Sequence, residues 1–197
     1  MADSLAPEAV RPLLTGRFGH DVYRYEESCP STQRLLSADD AEGAVAVADE
    51  QTAGRGRLGR SWHAPPGTSI LVSVMLRPTV TPARLPELSL VAGGAVAEAI
   101  AEVTGLEPAI KFPNDVLLDG RKVAGILAES SEGRVVLGIG VNANQTEDEL
   151  PSGTETEATS LRLQLGRPVD RPQLLAAILK RLERAYGAWT TGSAGSG

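Results

Sequence analysis

The stretch PAIKFPNDVLLDGRKVAGILAESSEGRVVLGIGVN, residues 108–142, decides the fold. Its apolar residues fall into short runs at 108–112, 116–119, 123–129 and 134–142, too brief and too rich in Val and Ile for helices. Gly120-Arg121 divides the second run from the third as in a tight hairpin. Strands that follow one another this closely pair antiparallel, because a parallel neighbour needs a long crossover. With few strand-helix-strand alternations, the prediction is an α+β fold, a mixed β-sheet flanked by helices, and not a doubly wound sheet.

Working outward, residues 21–27 alternate like a strand, and Pro30-Ser31-Thr32 resembles the N-cap of a helix running over 33–36 and beyond. Residues 43–49 read as a short buried strand. They lead into a Gly- and Arg-rich loop at 51–60 without apolar periodicity. Residues 68–76 read as a strand, and 82–103 as a long helix in which Gly93-Gly94 allow close packing onto the sheet. Beyond the strands, 146–159 is an acidic surface loop and 171–189 an amphipathic helix; 192–197 is a Gly/Ser linker expected to lack order. Residues 1–20 read as a short helix or arm, 21–190 as one catalytic domain and 191–197 as a tail.

The chain has 197 residues, 42% of them hydrophobic, and a net charge of −6, which argues against generic binding to nucleic acid. No long uncharged apolar run or basic leader is present, so a cytoplasmic protein without a membrane segment is expected. The lone Cys29 excludes an internal disulfide and a cysteine-clustered metal site. Of 19 basic residues only Lys111, Lys122 and Lys180 are lysines. Where arginine is the default cation, two lysines close together in a motif-rich segment mark places that need a compact ammonium.

Three segments carry the chemistry. Gly54-Arg55-Gly56-Arg57-Leu58-Gly59-Arg60 offers backbone amides and forked cations to an anion, although a solvated basic turn has the same composition. It lacks the Gly-Lys-Ser/Thr ending of a Walker A loop. Lys111-Phe112-Pro113-Asn114-Asp115 bunches a cation, an amide and a carboxylate at a proline-fixed turn, followed by Lys122-Val123-Ala124-Gly125-Ile126-Leu127. Surface lysines capping strand ends are the plainer alternative. Gly138-Ile139-Gly140-Val141-Asn142-Ala143-Asn144 ends a buried strand in two amides, either of which could merely cap a turn.

In order and spacing these blocks resemble the biotin protein ligases. Residues 49–62 look like that family's glycine-arginine signature, and 111–115 like its lysine-tryptophan-proline-asparagine-aspartate motif; 122–127 and 138–144 match its next two blocks. The resemblance spans about residues 20–190. It implies the mixed sheet shared with class II aminoacyl-tRNA synthetases, and an enzyme that makes biotinyl-5'-AMP from biotin and ATP, then transfers biotin to a lysine of a biotin carboxyl carrier protein or carboxylase domain. Mg2+ would accompany the ATP, with no dedicated metal ligands in the protein.

The resemblance also implies roles. Ser31, Thr32, Gln51, Ser73 and Gly125 would line the biotin pocket. Arg55 and Arg57, with the amides of Gly54 and Gly56, would cover the biotin carboxylate and the adenylate phosphate. Trp62 would stack on adenine, an ordinary core tryptophan being the alternative. Lys111 and Lys122 would hold phosphates and developing charge, Asn114 and Asn142 would orient ATP and its magnesium, and Asp115 would receive the acceptor lysine.

This chain departs from the family pattern at Gln33, where asparagine is usual, and at Phe112, where tryptophan is usual. Relatives continue into a small β-barrel of roughly fifty residues that this sequence lacks, so reduced activity or acceptor affinity is expected. With no DNA-binding domain expected before it, the chain is expected to group with the non-repressor type. Two other functions remain: a lipoate or octanoyl ligase, which the glycine-arginine loop disfavours, and a biotin-binding protein without turnover.

Overall fold

A computed structural model describes residues 3–192; most of the Gly/Ser tail expected to lack order lies outside the described residues. Among the described residues seven strands make one sheet: β1 (Tyr23–Cys29), β2 (Val45–Gln51), β3 (Ser69–Leu76), β4 (Ala109–Lys111), β5 (Asp115–Leu118), β6 (Arg121–Ser131) and β7 (Arg134–Asn142). Their order across the sheet is β1-β2-β3-β7-β6-β5-β4. β1 and β2 run parallel; the other neighbours run antiparallel. This is the mixed sheet that residues 108–142 predict.

Helices α2 (Glu87–Thr104) and α4 (Arg171–Thr190) pack on each other and against one face of the sheet. Even-numbered residues of β3, Ile70, Val72, Val74 and Leu76, enter this core. Odd-numbered ones face the other side, where Met75 joins a small cluster with Leu36, Ala44 and Ala46. Burial on both faces explains why this strand reads as nearly continuous apolar sequence. Ser73 is a polar exception on the far face.

Local differences from the sequence reading have physical causes. The helix expected over 33–36 and beyond is one 3-10 turn, Thr32–Leu35, and Ser31 makes no side-chain cap bond. The Thr32 N–H and hydroxyl instead both donate to Gln51 Oε1 on β2, at 2.8 and 3.1 Å, so a tertiary acceptor replaces the cap and holds the turn against the sheet. The β5–β6 turn is Asp119-Gly120, not Gly120-Arg121, since Leu118 pairs with Arg121. Both turn residues have positive φ, 49° and 74°, as a type I′ turn requires. At Gly93 and Gly94 an added Cβ would stand 3.7–3.9 Å from Ile110 and Ile126, ordinary contact, so the packing of α2 does not need glycine there. The short helix α3 (Leu161–Leu165), capped by Ser160 and ended by left-handed Gly166, was not anticipated.

Residues near the N-terminus are part of the core. Helix α1 (Pro7–Val10) packs on α4 and β1, and Leu5, Val10 and Phe18 are buried. Asp3 meets the buried Arg171, which donates from Nη1 to Asp49 Oδ1 at 2.9 Å. Tyr25 donates to the other oxygen of Asp49, and burial followed by this bond pushes its hydroxyl pKa up to about 12. Arg171 thus ties the first residues and α4 to the end of β2 from which the glycine-rich loop departs.

Candidate active site

The face of the sheet opposite α2 and α4 carries a cavity of about 50 Å³, with β3, β7 and β6 as its floor and the turn at 31–33 and the loop at 54–62 as its rim. Its lining has two chemically different ends. Toward Ser73 it is polar with its charges paired: Thr32 Oγ1 shares a hydrogen bond with Ser73 Oγ at 2.8 Å and donates to Gln51 Oε1, and Arg55 is ion-paired with Glu129. Toward Lys122 it is cationic, with Arg57 donating to Asn114 Oδ1 at 3.2 Å while Asn114 Nδ2 donates to the Ile126 carbonyl.

A bulge builds the cationic end. Asp115 pairs with Gly125 and Val116 with Ala124, but Leu117 pairs with Lys122, which leaves Val123 as an extra residue. In a regular strand, residues 122 and 125 would point to opposite faces. The extra residue sends Val123 and Ala124 both into the core and turns Lys122 to the cavity side with Gly125. There the Lys122 ammonium lies 2.7 Å from Asp115 Oδ1, with both side chains mostly buried.

Trp62 lies on the strand glycines. A Cβ on Gly140 would fall 2.6 Å from its Cε2, and one on Gly125 would fall 2.9 Å from its Cζ3, so only glycine at both positions admits the indole. Lys122 Nζ stands 5.7 Å from its ring centroid. Among the described residues the buried indole N–H has no partner, an arrangement that costs about 1–3 kcal/mol unless something supplies an acceptor. Gly54 is equally constrained, as its Cβ would meet the Trp62 carbonyl at 2.4 Å. In the loop itself Arg55 bridges to Ser61, Gly56 N–H donates to Arg60 O, and Leu58 and Gly59 turn with positive φ.

Residues 25–145 match the sequence model of the biotin/lipoate A/B protein ligase family. The chain belongs to that family. It is 39% identical over 176 residues to the bifunctional ligase/repressor BirA of Bacillus spizizenii, covering 85% of this chain and 54% of that protein. It is 42% identical over 161 residues to the biotin--[acetyl-CoA-carboxylase] ligase of Mycobacterium tuberculosis, covering 79% and 59%. Among solved structures, the biotin protein ligase of Aquifex aeolicus in complex with biotin and ATP superposes with a TM-score of 0.78 at 36% identity, covering 86% of this chain and 72% of that one. The chain spans about half the length of the curated relatives it matches.

Most of the residues that the family resemblance singled out converge on the cavity. Ser31, Thr32, Gln51, Arg55, Gly56, Arg57, Trp62, Ser73, Asn114, Lys122 and Gly125 line it, and Asp115 adjoins through Lys122. Lys111 is outside the lining; its ammonium donates to Thr156 of the acidic loop at 2.7 Å. Asn142 is buried further along β7, with Nδ2 donating to Thr159 O and Oδ1 accepting from Gln145. Arg60 pairs with Glu155 of the same acidic loop. Cys29 is buried, and burial raises its thiol pKa, which suits a packing residue. Sequence reasoning missed Gln33, Gly138 and Gly140 as lining residues. The signal for the glycines was present: two glycines inside a buried strand mark a close approach by another group.

Proposed function

We propose that this protein is an ATP-dependent ligase that makes biotinyl-5'-AMP from biotin and ATP and passes biotin to a lysine of a biotin carboxyl carrier protein or carboxylase domain. The observation that carries the reading is the division of one cavity into a neutral hydrogen-bonding end and a cationic end. Biotin has the same division, a ureido ring that donates and accepts hydrogen bonds and a valeryl chain ending in carboxylate. Ser31, Thr32, Gln51 and Ser73 suit the ring; Lys122 and Arg57 suit the carboxylate and the α-phosphate beside it. A lipoyl head, a dithiolane without hydrogen-bonding groups, would leave the polar end unpaired, which disfavours the lipoate alternative.

In the first step a carboxylate oxygen of biotin attacks the α-phosphorus and pyrophosphate leaves. Two anions must meet, so cations have to stand on both sides of the new bond. Lys122 on β6 and Arg57 on the loop both line the cavity and come from different elements. The unpaired indole N–H of Trp62 offers a donor to whatever fills the space beside it. In the second step a neutral lysine amine attacks the activated carbonyl and AMP leaves; Asp115, ion-paired with Lys122, is the carboxylate proposed to receive or orient that amine. Lys111 and Asn142 keep their assigned roles toward the triphosphate only if their contacts to Thr156 and Gln145 exchange for the ligand.

Magnesium belongs to the nucleotide in this reading. Among the described residues no group of three or more acidic, His or Cys side chains gathers, and the amide oxygens of Asn114 and Asn142 already accept hydrogen bonds. The reading gives the ion no protein ligand of its own, and no step above is routed through it. Residues 21–190 are the proposed catalytic unit, acting in the cytoplasm; among the described residues no helix is long and apolar enough to cross a membrane. Incubation with MgATP and either biotin or lipoate, followed by a carboxylase acceptor domain, tests the function. Pyrophosphate release and acceptor labelling with biotin support it, binding of biotin without pyrophosphate points to a non-catalytic protein, and release with lipoate alone overturns it.

A further inference from the structure

A second space lies beyond the cavity on the same face of the sheet. Along β6 the residues on the cavity side run Gly125, Leu127, Glu129, and opposite them on β7 stand Gly140, Gly138 and Val136. The first two pairs line the substrate cavity; the third lines a second chamber of about 220 Å³, rimmed by Arg34, Arg134, Ser130 and Ser131. Gln33 and Arg55 line both spaces. They stand where one groove is divided into two.

Gln33 makes the division by spanning the ladder. Its Nε2 lies 3.4 Å from both the Leu127 and the Val136 carbonyls, at the step between the two chambers. A Cβ at Gly138 would stand 3.4 Å from that nitrogen, ordinary contact, so the Gln33 amide packs directly on β7 without needing glycine there. Its Oε1 accepts from Arg55 Nη2 at 3.3 Å, and the same Nη2 lies 2.6 Å from Glu129 Oε2. Gln33 is 91% shielded from solvent, its exposure being 9%. An amide fixed at both ends across a groove is a wall. The asparagine usual in the family is one methylene shorter.

We propose that Gln33 is the specificity-determining residue that closes the ring end of the substrate cavity and keeps the chamber beyond it from being used. This rests on the biotin reading above, in which the neutral end takes the ureido ring. The wild-type protein then rejects biotin analogues enlarged at the ring, and shortening Gln33 joins the two chambers so that a ring substituent can pass between β6 and Arg55.

The probes are biotin and two analogues carrying a benzyl group on one or the other ureido nitrogen, given to the wild-type protein, Gln33→Ala and Gln33→Asn. Both pyrophosphate release and calorimetric binding are followed. Gln33→Ala should still use biotin and should raise the kcat/KM of at least one analogue relative to biotin by roughly ten- to a hundred-fold, the range that a small change in pocket shape commands. Gln33→Asn, which keeps the amide, should show a smaller rise and stands in if Gln33→Ala does not fold. A general loosening of the fold would lower all three substrates together and leave the ratio unmoved. An unchanged ratio in both variants, or a wild-type protein that takes the benzyl analogues as readily as biotin, overturns the proposal. If biotin and the analogues bind with the expected shift in selectivity but no pyrophosphate appears, the wall stands and the ligase reading fails; if biotin does not bind at all, both fail.

Discussion

The ammonium of Lys122 lies 2.7 Å from Asp115 Oδ1 across the β5–β6 hairpin, brought to the cavity face by the extra residue Val123. The relationship couples the cation assigned to adenylate formation with the carboxylate assigned to transfer. Each can therefore be removed with a different expected effect.

Lys122→Ala should abolish most adenylate formation, by about 10²–10³-fold, because a cation aimed at developing charge contributes more in the transition state than in the ground state. Biotin binding should remain detectable by calorimetry, as the ring end is untouched. Pyrophosphate release at the wild-type rate would contradict the role given to this lysine.

Asp115→Asn keeps the shape of the side chain and removes its charge. A single turnover should still release pyrophosphate, whereas transfer of biotin to a carboxylase acceptor domain should slow severalfold or more. Equal losses in the two half-reactions would show that the carboxylate acts in both, or acts only by holding Lys122.

How much of this was legible beforehand varied with the physics. β7 was read at its observed bounds, 134–142, and the strands at 43–49 and 68–76 within two residues, because apolar runs bounded by Gly and Pro carry a local signal. The turn at Thr32–Leu35 is not legible locally because its donors are satisfied by Gln51, which is distant in sequence. The bulge at Val123 leaves no mark on composition, yet it decides which way Lys122 points. In the sequence Gln33 stands out only as a departure from a family pattern; its position between two chambers depends on β6, β7 and the loop together.

The loop at 54–60 presents Arg55, Arg57 and Arg60 to a protease, and its cations are held by Glu129, Asn114 and Glu155 through exposed contacts that are individually weak. Trypsin should cut after these arginines in the free protein. Biotin with MgATP should slow that cleavage sharply as loop amides and arginines engage the adenylate, and lipoate with MgATP should protect much less. Cleavage unchanged by biotin and MgATP would make the loop a surface turn.

Acid stability should depend on Asp40, whose carboxylate receives a forked pair from Arg24 at 2.6 and 2.7 Å and a bond from Ser37 N–H. Arg24 foremost holds its pKa below the ordinary 3.8. A depressed folded value means stabilisation fully present above the unfolded value and lost as pH falls through the folded one. Asp40→Asn should lower stability at pH 7 by about 1 kcal/mol, a figure kept small because Arg24 is partly exposed, and should flatten the decline below pH 4. Denaturant unfolding across pH 2–7 reads this out; parallel acid limbs for the two proteins would refute it.

The central claim, that the two-ended cavity activates biotin on ATP, is tested most directly by isotope exchange between labelled pyrophosphate and ATP, which needs no acceptor protein. The account predicts label entering ATP when biotin is present, none without it, and none with lipoate in its place. No exchange from a folded protein that binds biotin, or exchange driven by lipoate and not by biotin, would contradict it.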